Sequence, residues 1–234
     1  ERIAVIGGPP AVGIAAELAS LGVQARFVAS ASPTRVCTTV LEQFDGACTE
    51  LVENATPIAP DELAAFRDAV AASAVTATVG VFTGSLPPGA PDRLPAELLS
   101  TTDLRWLLDV RGPSLTAALA EQPFLVKPTR NELAATVGRP LDDDVSLVDA
   151  MRDVNRRGAK WVVITDGARA VWATSSSATY RAQPPAIQPV NPIGSGDCFT
   201  AALAARIEAG DDVPSALPFA IAAAAHNAEF LLPA

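Results

Sequence analysis

Short apolar runs alternate with amphipathic stretches of helical period along most of the chain. Arg2 to Ile6 predicts a buried strand and Ala11 to about Leu21 an amphipathic helix, with Gly7-Gly8-Pro9-Pro10 between them. Val23 to Ala29, Arg35 to Leu41 and Cys48 to Glu53 are rich in strand formers, and the last two predict a hairpin around Asp45-Gly46. Pro60-Asp61-Glu62 opens a helix to about Ser73, with its acids in the first turn. Val75 to Phe82, Leu104 to Val110, Phe124 to Lys127 and Trp161 to Thr165 predict buried strands. Between them lie helices over Asp92 to Ser100, Ser114 to Glu121, Arg130 to Val137 and Val145 to Arg157. Ala170 to Thr174, Thr179 to Ala182 and Ile187 to Val190 add β segments. Helices from about Phe199 to Ala209 and Ser215 to Leu231 close the chain.

Such alternation implies the α/β class, with a largely parallel sheet covered on both faces. A length of 234 residues suits one large domain over residues 1–234. The loops after Phe82, Val110, Lys127, Thr165 and Val190 all lie at carboxyl ends of predicted strands, where open α/β sheets bind ligands. A dinucleotide-binding reading of Gly7-Gly8 fails, because the G-x-G-x-x-G spacing is absent and two prolines remove N–H donors.

A formal net charge of −9 argues against nucleic acid or an anionic membrane surface as the main partner. Cys37, Cys48 and Cys198 are widely spaced and form no C-x-x-C pair, which points to a reducing, cytoplasmic setting without a zinc site. No apolar run approaches membrane length. Met151 is the sole methionine and the chain opens at Glu1, so its natural start is expected upstream.

The stretch Val190 to Thr200 carries the most chemistry. Pro192 and the glycines at 194 and 196 break regular structure just before a helix, placing Asp197 in or near its first turn. A helix start offers unpaired N–H groups and the positive end of the dipole, and so attracts phosphate. A carboxylate beside a phosphate needs a chemical task.

Four blocks occur in order: Gly84-Ser85-Leu86-Pro87-Pro88-Gly89, Lys127-Pro128-Thr129-Arg130-Asn131-Glu132-Leu133, Thr165-Asp166-Gly167 and Asn191-Pro192-Ile193-Gly194-Ser195-Gly196-Asp197. The ordered set resembles the ribokinase-like (PfkB) carbohydrate kinases. With Thr34-Arg35 it is most similar to their phosphosugar branch, which includes 1-phosphofructokinase and tagatose-6-phosphate kinase. The resemblance implies a three-layer αβα fold and an ATP- and Mg²⁺-dependent kinase acting on a hydroxyl of a ketohexose phosphate. Asp197 would be the general base, and the N–H groups of Gly194, Ser195 and Gly196 the anion hole for the transferred phosphate. Lys127 and Thr129 would lie near the ATP phosphates, Glu132 would help place Mg²⁺ through water, and Thr165, Asp166, Gly167 and Arg169 would line the nucleotide. Asn227 would sit near the adenine, and Arg35 and Ser85 would contact the phosphate already on the sugar. Planar, bidentate arginine suits that last role.

The sequence also departs from the family pattern. Thr129 stands where the family usually has asparagine, and Ala170 where a glycine is common. The opening aspartate strand, the β-lid and the G-G-K-G-x-N block are missing, so the chain is expected to lack its N-terminal portion. That lid often forms dimers, which leaves a homodimer as the open oligomeric expectation. Two other readings stand beside the leading one: a weakly catalytic nucleotide- or sugar-phosphate-binding regulator on the same scaffold, and a kinase for a non-phosphorylated sugar or a nucleoside. A hydrolase is disfavoured, as there is no G-x-S-x-G elbow and His226 is the only histidine.

Overall fold

A computed structural model describes residues 1–42 and 48–232. Two compact units divide the chain: residues 1–76 with 86–91, and residues 77–85 with 92–234.

In the first unit, strand β1 (Arg2–Ile6) pairs in parallel with β2 (Ala25–Ala29). Helix α1 (Gly8–Ser20) joins them and α2 (Pro60–Ala74) packs on both strands. A separate antiparallel pair, β3 (Cys37–Leu41) and β4 (Cys48–Val52), is largely exposed. The expected hairpin is therefore present in its strands, while Asp45-Gly46 lies outside the described residues. Gly7 caps α1, and a Cβ there would stand 2.2 Å from the Ser32 carbonyl oxygen. That glycine serves a close backbone approach. Buried Glu62 takes N–H groups of Ala59 (3.0 Å) and Ala31 (2.7 Å), which hold its carboxyl below the usual carboxylate range.

The second unit is built on a six-stranded sheet. Its strands are β5 (Val79–Thr83), β6 (Arg105–Asp109), β7 (Leu125–Val126), β8 (Trp161–Ile164), β9 (Val171–Thr174) and β10 (Thr179–Ala182), side by side in chain order. The pairings from β5 to β8 are parallel and the last two antiparallel. Parallel neighbours need crossovers, which α3 (Leu94–Thr101), α4 (Gly112–Ala118), α5 (Arg130–Val137) and α6 (Asp144–Arg156) supply. Helices α7 (Ser195–Glu208) and α8 (Val213–Ala228) follow β10. Leu107, Leu125, Val163 and Ala173 of the sheet bury one face against Phe199, Leu203, Ile207, Leu217 and Ile221 of these helices. Trp106 and Leu108 alternate to the opposite face, which is also buried, and α6 packs on β8 and β9. Helices on both faces of a mostly parallel sheet make this the expected three-layer α/β arrangement.

Two expectations change. Ile187 to Val190 forms no strand: Pro184, Pro185 and Pro189 remove ladder donors, and the Val190 N–H goes instead to the Ala228 carbonyl. The final helices begin earlier than expected, at Ser195 and Val213, the latter capped by Asp212 taking the Ser215 N–H. In β5, Gly80 lies opposite Trp106, and a Cβ there would stand 2.7 Å from the indole. Gly80→Ala is expected to cost about 1–3 kcal/mol by overpacking, read as a lower urea midpoint with unchanged slope.

Candidate active site

The carboxyl ends of β5, β6, β7 and β8 and the start of α7 bring most of the candidate residues together. Gly194, at the cap of α7, has φ of 82°, a conformation that favours glycine. The Ser195 N–H closes a turn onto the Pro192 carbonyl (3.2 Å). Gly196 and Asp197 follow in the first turn, where N–H groups have no intrahelical acceptor, and no side chain caps them. Asp197 is exposed, and its Oδ1 accepts the Thr83 hydroxyl from the end of β5 at 3.4 Å. Carboxylate and open N–H groups thus share one helix start.

Below them lies an ion pair between a buried lysine and a half-buried aspartate. Lys127, just past β7, has a side chain 3 % exposed, and its Nζ is 3.0 Å from Asp109 Oδ2 at the end of β6. A Cβ built on Gly196 would lie 4.0 Å from that Nζ, so the ammonium sits close beneath the loop. Thr200 of α7 donates its hydroxyl to Asp109 (3.3 Å) and to the Gly196 carbonyl (2.9 Å). Burial pushes the Asp109 carboxyl above its ordinary value against the pull of Lys127, with Glu132 and Asp197 adding repulsion.

Thr129 and Glu132 form a capping box at the start of α5. The Glu132 N–H donates to Thr129 Oγ1 (3.3 Å) and the Thr129 N–H to Glu132 Oε2 (2.9 Å). Glu132 Oε1 accepts Arg111 at 3.0 Å. Burial opposes ionisation of Glu132, but these hydrogen bonds and Arg111 outweigh it and hold its pKa below the ordinary value. The threonine that replaces the family asparagine is therefore a working helix cap.

Thr165 to Ala170 is the hairpin connection between antiparallel β8 and β9, and Thr165 bridges in parallel to Thr129. Asp166 is held from below: Arg130, buried and bound to the Leu141 carbonyl and Asp144, places its Nε 2.9 Å from Asp166 Oδ2. Exposed Arg169 stands 3.5 Å from the same oxygen, and Gly167 is exposed at the turn. Asn227 is 1 % exposed and faces the loop before α7, giving its amide to Ile193 and Ser195, where the sequence reading placed it near an adenine. Ser85 is exposed two residues beyond Thr83, and exposed Arg35 belongs to the first unit.

The sequence reading assigned no role to Asp109, Thr83 or Thr200. The signal was register: Leu108 pairs with Val126, so Asp109 and Lys127 are the next residues of neighbouring strands. Among the described residues no group of three or more His, Cys, Asp or Glu side chains is placed to hold a metal. Magnesium needs less, taking one or two carboxylates beside substrate phosphates and water. Glu132, whose Oε1 partner Arg111 is 67 % exposed and can turn away, fits such a role.

A model of the pfkB family carbohydrate kinases matches residues 2–229, and the chain belongs to that family. It is an ATP-dependent sugar kinase by class. The tetrameric inhibited form of phosphofructokinase-2 from Escherichia coli superposes with a TM-score of 0.87 at 26% identity, over 97% of this chain and 76% of that one. The same enzyme in complex with fructose-6-phosphate gives 0.87 and 26%, over 99% and 77%. A protein described as a possible 1-phosphofructokinase from Thermotoga maritima shares the fold, with a TM-score of 0.89 at 16% identity over 99% and 76%. The two phosphofructokinase-2 structures agree with the phosphosugar branch. No helix among the described residues is long and apolar enough to cross a membrane.

Proposed function

We propose that this cytoplasmic kinase, acting as one domain over residues 1–234, moves the γ-phosphoryl group of ATP to a hydroxyl of a ketohexose phosphate. The candidate acceptors are fructose 1-phosphate, fructose 6-phosphate and tagatose 6-phosphate. The observation that carries the reading is Asp197 in the first turn of α7, exposed among open N–H groups and above the buried Lys127 ammonium. Asp197 takes the proton of the attacking hydroxyl, and the start of α7, from Gly194 to Gly196, receives the transferring phosphoryl oxygens. Lys127 places its charge beneath them. Phosphoryl transfer rewards this kind of positioning and charge stabilisation. Magnesium, held through Glu132 and the nucleotide phosphates, would neutralise phosphate charge. Thr129, Thr165, Asp166, Gly167 and Arg169 edge the nucleotide, and the family resemblance assigns Ser85 of the second unit and Arg35 of the first, each by itself, to the phosphate of the acceptor.

The test is ADP release by the intact protein with each of the three sugar phosphates and with unphosphorylated fructose. Turnover confined to one or more of the phosphates is expected, with a raised KM in Arg35→Ala. Equal turnover of fructose, unaffected by Arg35→Ala, would favour a kinase for non-phosphorylated sugars.

A further inference from the structure

We infer that Asn227 is a positioning residue that holds the phosphoryl-transfer loop in its working shape; this rests on the reading of Gly194 to Asp197 given above. The segment before α7 forms no strand, contains Pro192 without an N–H, and passes through a left-handed glycine. Left to itself it would sample many shapes, and fixing it costs conformational entropy. No side chain of the loop caps α7. The constraint comes from the last turn of α8.

Asn227 Nδ2 donates to the Ile193 carbonyl at 2.9 Å and to Ser195 Oγ at 3.1 Å, while Oδ1 accepts the Cys198 thiol at 3.3 Å. One amide therefore ties residues on both sides of Asp197. Its orientation follows from chemistry, since the Ile193 carbonyl can only accept and must face the NH₂ group. Neighbouring bonds act in the same direction: the Val190 and Asn191 N–H groups donate to the Ala228 carbonyl at 2.7 and 3.1 Å, and Asn191 Nδ2 to the Leu231 carbonyl at 2.9 Å. These fix the root of the loop, whereas Asn227 reaches its reacting end. Aspartate would keep the volume but turn a carboxylate oxygen toward the Ile193 carbonyl.

These bonds run from Asn227 to the loop, so its effect on the reaction travels through the loop. A shift of about 1 Å in a reacting group can cost on the order of 100-fold in rate. In the intact protein, Asn227→Asp and Asn227→Ala are expected to lower kcat roughly 10- to 100-fold with the KM for the sugar phosphate unchanged. By calorimetry, both should lose the preference for the ATP analogue AMP-PNP over ADP while keeping ADP affinity. Cys198→Ser, which retains a donor to Oδ1, should behave as wild type. The inference is overturned if Asn227→Asp keeps wild-type kcat and AMP-PNP preference. It is equally overturned if the variants lose melting temperature and ADP affinity together while that preference persists, the mark of a merely structural role. Normal turnover in Asp197→Asn would instead sink the underlying reading, and the AMP-PNP comparison judges Asn227 even then.

Discussion

Asp197→Asn is expected to lower kcat by about 10²–10⁴-fold, the usual worth of general-base help, while ADP and AMP-PNP bind as in wild type. The substitution keeps the side-chain volume and its acceptor toward the Thr83 hydroxyl, so the start of α7 has no reason to move. It removes only the group able to take a proton. An N-capping role would give the opposite pattern, with a small loss of stability and little loss of rate. Asp197 makes no cap bond, for the α7 cap position is Gly194. Steady-state kinetics beside calorimetry on the same variant decides between the two.

The second large effect concerns stability. Lys127→Met leaves the Asp109 carboxylate in a site where burial already pushes its pKa up, now without its counter-charge. Breaking a buried pair from one side costs roughly 3–5 kcal/mol. The sign with pH follows from linkage: a carboxyl whose pKa is raised on folding favours the folded state when protonated. That contribution is present below the ordinary carboxylate range and lost as pH rises through the raised value. Without Lys127 the value climbs further, so the deficit against wild type should be small in acid and full near neutrality. Adding Asp109→Leu should recover much of it, because an apolar pair has no desolvation cost. Urea unfolding of both variants at acid and neutral pH measures this; a double variant weaker than Lys127→Met would contradict the account.

Much of this site was legible because glycine, proline and acid punctuation marks strand ends, and strand ends are where a parallel sheet binds ligands. The loops after Phe82, Val110, Lys127 and Thr165 lie at strand ends, where the pattern put them, whereas Val190 ends no strand. What the pattern could not carry was pairing across the sheet. Asp109 reads locally as a turn acid, and only strand order sets it beside Lys127. The direction of the Asn227 side chain depends on how α8 packs against α7, which the local pattern does not carry. Thr129 looked like a lost amide; the capping box with Glu132 gives it a task that two residues three apart can show in sequence. Ile187 and Val190 are strand formers, but Pro189 between them and Pro184-Pro185 before them remove ladder donors.

The most direct measurement follows the terminal phosphate of radiolabelled ATP in the presence of the intact protein and fructose 6-phosphate, fructose 1-phosphate or tagatose 6-phosphate. Label appearing in a sugar bisphosphate, and vanishing in Asp197→Asn, is the predicted result. Tight nucleotide binding with no label reaching any of the three sugars would contradict it and leave a binding regulator on a kinase scaffold.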